Sequence, residues 1–235
     1  EMSRKLNGNT ISDQDLNTLL TSKPQDLSMI FNRVSITPKL MDKLKTEKNI
    51  YNVMKKLSDS QAPDNKNDKH LAEFTANKTR VNYKISGTFA KNLSDEQLKK
   101  LNTETKINLL KQLTDKGTKS ADEVTVKRIL FSAEPEELNK LLDFVQAKKL
   151  KSELSTQNFV DVFKKVAQNP VNDYHLQRFI KEGNNDIIIN VVKGLNDTQL
   201  SNLSVQARAG MIDEFIGDIL VGDQCKATAK RLLVT

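Results

Sequence analysis

Two stretches about a hundred residues apart put the same residue types in the same slots, and this repetition limits what the chain can fold into more than any other feature. The first is Asn92-Leu93-Ser94-Asp95-Glu96-Gln97-Leu98-Lys99-Lys100-Leu101, continued by Thr105-Lys106-Ile107-Asn108-Leu109-Leu110-Lys111-Gln112-Leu113. The second is Gly194-Leu195-Asn196-Asp197-Thr198-Gln199-Leu200-Ser201-Asn202-Leu203, continued by Ala207-Arg208-Ala209-Gly210-Met211-Ile212-Asp213-Glu214-Phe215. A stretch used twice implies one supersecondary piece built twice, with function spread over a surface.

The correspondence runs back towards the start of the chain. Leu19-Leu20 matches Ile129-Leu130, and Leu27, Ile30, Phe31 and Val34 fall on Leu138, Leu141, Leu142 and Val145. Leu40 and Leu44 meet Leu150 and Leu154, and Ile50 through Leu57 meets Phe159 through Val166. The two histidines, in His70-Leu71-Ala72-Glu73-Phe74 and His175-Leu176-Gln177-Arg178-Phe179, share one repeat position.

Apolar residues at i, i+3, i+4 and i+7 predict amphipathic helices with one face to bury. Pro24 and Pro135, each followed by acidic residues, mark helix starts. Ser94 and Asp197 predict caps for two short helices, and Asp186 a cap for a helix running to Gly194. Val81-Asn82-Tyr83-Lys84-Ile85 alternates like a strand, but its alignment with 186–192 favours helix. The fold class is therefore all-α, a tandem array of two related multi-helix repeat units of about seven short helices each. Residues 1–7 read as the tail of a preceding unit, 8–116 and 117–221 as the two units, and 222–235 as the start of a further one. Leu98, Leu101, Leu109, Leu113, Ile129, Leu138, Leu142, Leu200, Leu203, Met211 and Phe215 should be core.

Composition narrows the chemistry. Of 235 residues, 29% are charged and 5% aromatic, with no Trp, which suits short solvated helices. The aliphatic run Ile187-Ile188-Ile189 is far short of the roughly 20 residues of a membrane span, and no apolar stretch follows Arg4-Lys5 as in a signal peptide. Beginning on Glu1 and ending on an unfinished pattern, the sequence reads as a fragment of something longer. The lone Cys225 excludes an internal disulfide and reads as a small buried residue. The glycines are scattered singly, without a G-x-G-x-x-G or G-K-[ST] motif to cradle phosphates. His70 and His175 lack a second ligand or an orienting partner set, so both read as packing residues, and no catalytic residue, metal or cofactor is expected.

The net charge of +7 is unevenly placed: residues 1–120 carry 22 basic and 14 acidic side chains, residues 121–235 carry 15 and 16. Pairs such as Lys99-Lys100, Lys148-Lys149 and Lys164-Lys165 are spaced over helix faces instead of forming a dense stripe, which argues against nucleic acid as the main partner. The excess in the first half makes Lys66, Lys69, Lys78, Arg80, Lys84, Lys91, Lys99 and Lys100 the candidate partner-binding residues. They suit an acidic protein surface first and an anionic membrane second, through a broad surface and not a deep pocket.

Two resemblances add to this reading. Gly117-Thr118, Asp122-Glu123, Lys127-Arg128-Ile129-Leu130 and Glu136-Glu137-Leu138 together resemble an annexin repeat, although Lys119-Ser120-Ala121 separate the first two motifs. That likeness implies calcium-dependent membrane binding, with a completing carboxylate near Gln157, between Glu153 and Asp161. Leu93 through Leu101 and Asp122 through Leu130 are similar to helical repeats of large bacterial secreted, toxin-associated or injection-system-associated proteins. That likeness implies a non-catalytic structural, interaction or delivery module of a secreted or injected protein, with the annexin-like module and electrostatic nucleic-acid binding as alternatives.

Overall fold

The computed structural model describes residues 2–7, 12–31, 38–44, 46–60, 66–76, 83–114, 120–168, 173–217 and 222–235. Among them every regular element is an α-helix. The chain divides into two compact units, Glu1–Lys116 and Gly117–Thr235.

The first unit contains α1 (Met2–Asn7), α2 (Asp13–Thr21), α3 (Pro24–Phe31), α4 (Pro38–Leu44), α5 (Glu47–Asp59), α6 (Lys66–Ala76), α7 (Tyr83–Lys91), α8 (Asp95–Lys100) and α9 (Thr103–Thr114). Ile50, Val53, Met54 and Leu57 make α5 amphipathic at helical spacing, and all four are buried. On this stripe α5 packs against α2, α3, α4, α6 and α7, while α9 packs on α6 and α7. Phe31, Phe74 and Phe89 fill the space between, each without solvent exposure.

Polar groups tie α6, α7 and α9 together. Gln112 of α9 accepts a hydrogen bond from the Ser86 hydroxyl of α7 at 2.6 Å and donates through Nε2 to the Thr75 carbonyl of α6. Asn108 donates to the Ala72 carbonyl at 3.3 Å and lies 3.4 Å from the Thr75 hydroxyl, which itself donates to the Leu71 carbonyl. Burial without partners would cost a few kcal/mol per group, so the network satisfies side chains that sequence alone would place at the surface.

The second unit contains α10 (Ser120–Phe131), α11 (Pro135–Phe144), α12 (Ala147–Glu153), α13 (Thr156–Ala167), α14 (Asp173–Glu182), α15 (Asn185–Gly194), α16 (Asp197–Ser201), α17 (Val205–Gly217) and α18 (Asp223–Val234). Here α13 packs on α10, α12, α14 and α15, α17 packs on α14 and α15, and α18 packs on α15 and α17. Phe159, Phe163 and Phe179 form an aromatic group with ring centroids 5.2 to 6.4 Å apart. The eleven leucine, isoleucine, methionine and phenylalanine positions named above are all buried.

Pro24 and Pro135 each open a helix, where the missing N–H costs nothing. Ser94 caps α8 by accepting from the Gln97 N–H at 3.2 Å, while the Gln97 side chain accepts from the Ser94 N–H at 2.9 Å. In α16 the same reciprocal box is made by Asn196 and Gln199, so the cap is Asn196 and not Asp197, which is the first helical residue. For α15 the cap is Asn184, whose side chain accepts from the Ile187 N–H at 3.0 Å, and not Asp186. Asn and Asp cap equally well, so composition alone leaves the frame open by a residue or two. The segment alternating from Val81 is helical from Tyr83 on, with 81–82 outside the described residues.

Residues 8–116 hold eight of the described helices and 117–221 another eight, where about seven each are predicted. The seven-residue α4 and α12 are separated from α5 and α13 by only two residues, too little for periodicity to register a break.

Candidate interaction surface

Those candidate partner-binding residues that are described lie on three consecutive helices of the first unit. Lys66 and Lys69 are in α6, Lys84 and Lys91 in α7, and Lys99 and Lys100 in α8, whereas Lys78 and Arg80 lie outside the described residues. The side chains of Lys69 and Lys84 are 77% and 71% exposed, and Lys91, Lys99 and Lys100 are exposed as well. Lys69 stands 3.9 Å from Glu73 one turn along, and Lys84 stands 3.5 Å from Glu47 of α5. Exposed pairs of this kind contribute about 0–1 kcal/mol, so both cations can be recruited by a partner at small expense.

Lys84 also lines a cleft of about 210 Å³ between α5 and α7, with Glu47, Lys48, Tyr51, Ile85 and Thr88. Tyr51 is fixed there by a hydrogen bond from Asn92 Nδ2 at 3.1 Å. An aromatic ring, an isoleucine and two lysines around one depression would suit a side chain that is apolar along its stem and acidic at its tip.

The two histidines take similar places. His70 packs edge-on to Phe31 with ring centroids 5.8 Å apart, its Nδ1 3.4 Å from Glu73 Oε2. Burial holds its pKa below 6.5, against the opposing pull of Glu73. His175 is equally buried, with Nε2 3.5 Å from Asp143 Oδ1, and burial again lowers its pKa while the Asp143 carboxylate opposes. Cys225 is buried in α18.

In the annexin-like stretch, Gly117-Thr118 falls outside the described residues. The carboxylate of Glu123 accepts from the Ser155 N–H at 2.7 Å and from Asn158 Nδ2 at 3.1 Å. The Ser155 backbone hydrogen bond is the main cause of its lowered pKa. It thus caps α13 from the neighbouring helix, a role the Ser155 hydroxyl does not fill. Gln157 donates to Asp161 at 2.9 Å, and Asp161 pairs with Lys127 at 2.5 Å. Among the described residues no group of three or more His, Cys, Asp or Glu side chains could hold a metal ion, and no helix is long and apolar enough to cross a membrane.

One feature escapes sequence reasoning. Lys148 of α12 and Arg178 and Lys181 of α14 converge on a cleft of about 160 Å³, together with Gln146, Ala147 and Glu182. The helical spacing of Arg178 and Lys181 puts them on one face, a signal legible in the sequence, but Lys148 is 30 residues away and reads there as a solvated lysine. Comparison with protein-family models, with curated proteins and with solved structures gives no match for this chain.

Proposed function

We propose that the chain is a non-catalytic helical repeat module of a larger protein, built from two copies of one motif, which binds a partner with an acidic surface through α6, α7 and α8. Duplication is supported by helix order: α2 to α9 correspond one by one to α10 to α17. The packed pairs α2 with α5, α4 with α5, α5 with α6 and α7, and α9 with α6 and α7 have counterparts in α10 with α13, α12 with α13, α13 with α14 and α15, and α17 with α14 and α15.

The observation that carries the duplication is a compensated exchange at a partly buried contact. Thr75 corresponds to Ile180 in the register that pairs His70 with His175, and Asn108 corresponds to Gly210 in the register that pairs Leu109 with Met211. Asn108 touches Thr75, and a Cβ on Gly210 would lie 3.6 Å from Ile180 Cγ2. A medium polar pair in one unit is thus replaced by a large apolar residue against glycine in the other, which conserves volume at one contact.

The further-unit reading of 222–235 has similar support. Thr228 and Leu232 of α18 are buried like Thr125 and Ile129 of α10, while Leu233 is 70% exposed where Leu130 is fully buried. Glu123 and Lys127 of α10, which bond to α13, correspond to Lys226 and Lys230, both exposed on α18. The resemblance to bacterial secreted and injected proteins suits such an assembly of units, and the packed histidines suit a module without catalysis.

The partner assignment rests on the exposed lysines of α6 to α8 and the cleft at Lys84. It is tested by fluorescence anisotropy with labelled poly-L-glutamate. The wild-type chain should bind in 50 mM salt and weaken steeply towards 300 mM, as screening shortens the reach of exposed charges. Replacing Lys91, Lys99 and Lys100 by Glu should reduce affinity at least tenfold with the thermal midpoint nearly unchanged. Equal affinity in the triple variant would show that these lysines form only a solvated face.

A further inference from the structure

We propose that the cleft between α12 and α14 binds the phosphate group of a phosphomonoester. Lys148, Arg178 and Lys181 line it, and none of the three has a carboxylate partner among the described residues. Elsewhere in the second unit Lys127 and Arg231 are paired with Asp161 and Asp197. Three cations left together around one depression repel each other, a cost that a bound anion removes.

The geometry narrows the ligand. Arg178 lies over the ring of Tyr174, 5.3 Å from its centroid, a contact that favours this placement of the guanidinium before any ligand arrives. Lys181 is three residues further along α14, and Lys148 reaches the cleft from α12, so an anion is gripped from two helices. With Glu182 counted, the lining carries three positive charges and one negative, a balance of two that matches a phosphomonoester dianion. At about 160 Å³ the space is well under the roughly 300 Å³ at which metabolite-sized pockets begin, so it admits the phosphate group and leaves the rest of the molecule outside.

The site is particular to the second unit. Aligned through Leu40 with Leu150, Lys148 corresponds to Pro38, and through His70 with His175, Arg178 and Lys181 correspond to Glu73 and Ala76, so the first unit has no equivalent cation set. A cluster that merely decorated the repeat would recur in both. The second unit also lacks the overall basic excess of the first, so this local cluster is not a by-product of average charge.

The test is titration of the full 235-residue chain with inorganic phosphate, followed by amide chemical shifts, beside a sodium chloride titration at matched ionic strength. Saturable shifts at Lys148, Arg178 and Lys181 with phosphate alone are expected. The affinity should fall at least tenfold in K148Q/K181Q and in R178Q, each checked for unchanged far-UV circular dichroism. The same shifts with chloride, or phosphate binding unaltered in both variants, would overturn the proposal. Two further arms identify the source of the ester: sedimentation with phosphatidylcholine vesicles containing phosphatidic acid, and competition by soluble glycerol phosphate. Vesicle binding lost in K148Q/K181Q assigns a lipid headgroup, glycerol phosphate binding without vesicle binding assigns a soluble ester, and failure of both overturns the assignment to a phosphomonoester.

Discussion

His70 and His175 give the chain a pH dependence whose sign follows from their surroundings. Both are buried, and both have pKa values below the usual 6.5 because burial disfavours the imidazolium more than Glu73 or Asp143 stabilises it. The unfolded chain therefore binds protons more readily than the folded one, and stability is complete above about pH 6.5. It declines as pH falls from there through the folded-state values. Urea midpoints measured between pH 7.5 and 5 should fall with pH, and H70Q/H175Q should flatten that slope. An unchanged slope in the double variant would show that the histidines do not set the acid sensitivity, since carboxylates such as Asp15, held at about 2 by hydrogen bonds from Lys5 and Ser12, lose their contribution only below this window. The contact between Thr75 and Asn108 offers a second test at this scale. Thr75→Ile alone forces extra volume against Asn108 and should cost roughly 1–3 kcal/mol. Adding Asn108→Gly should recover part of that loss, giving a non-additive cycle, since this is the combination found as Ile180 and Gly210. Strict additivity would deny that the two contacts are equivalent.

Helix caps carry the next scale, because helices this short gain little from propensity and depend on their ends and on packing. Ser94→Ala removes one side of the reciprocal box on α8 and should cost about 0.5–2 kcal/mol, as should Asn196→Ala on α16. Glu123→Gln tests the unusual cap on α13, where the charge of the carboxylate also opposes the positive helix end. The change should lower the urea midpoint at pH 7, and by less and less as pH falls below 4.5, because the stability contributed by a carboxylate of lowered pKa is lost as pH falls through its folded-state value. Much of this scale was legible in sequence. The eleven apolar positions read as core are buried, and the proline starts and the Ser94 cap are where composition puts them. The cap of α15 was not, since Asn184, Asn185 and Asp186 are chemically equal candidates and only backbone geometry chooses among them. Nor was the role of Glu123, because a carboxylate that caps a helix 32 residues downstream has no local signature. The same reason hid the cleft at Lys148: its members meet through tertiary packing of α12 on α14.

At the scale of the whole molecule the question is whether each compact unit is a folding unit. Each spans nearly 120 residues, well above the size at which a single core becomes marginal. Each also holds its own specific core: Phe31, Phe74 and Phe89 with the Gln112 network in the first, and Phe159, Phe163 and Phe179 in the second. The rings that stack against Phe179 come from α13 of the same unit. Residues 117–235 expressed alone should therefore give dispersed amide resonances and a single cooperative urea transition. In that fragment Phe163→Ala should cost about 3–5 kcal/mol, the usual range for emptying a buried phenyl site. The same substitution in the 235-residue chain should cost the same amount, because the rings packed on Phe163, those of Phe159 and Phe179, belong to the second unit. Collapsed resonances in the fragment, or a loss in the whole chain differing by more than about 1 kcal/mol, would show that the second core is completed by the first unit.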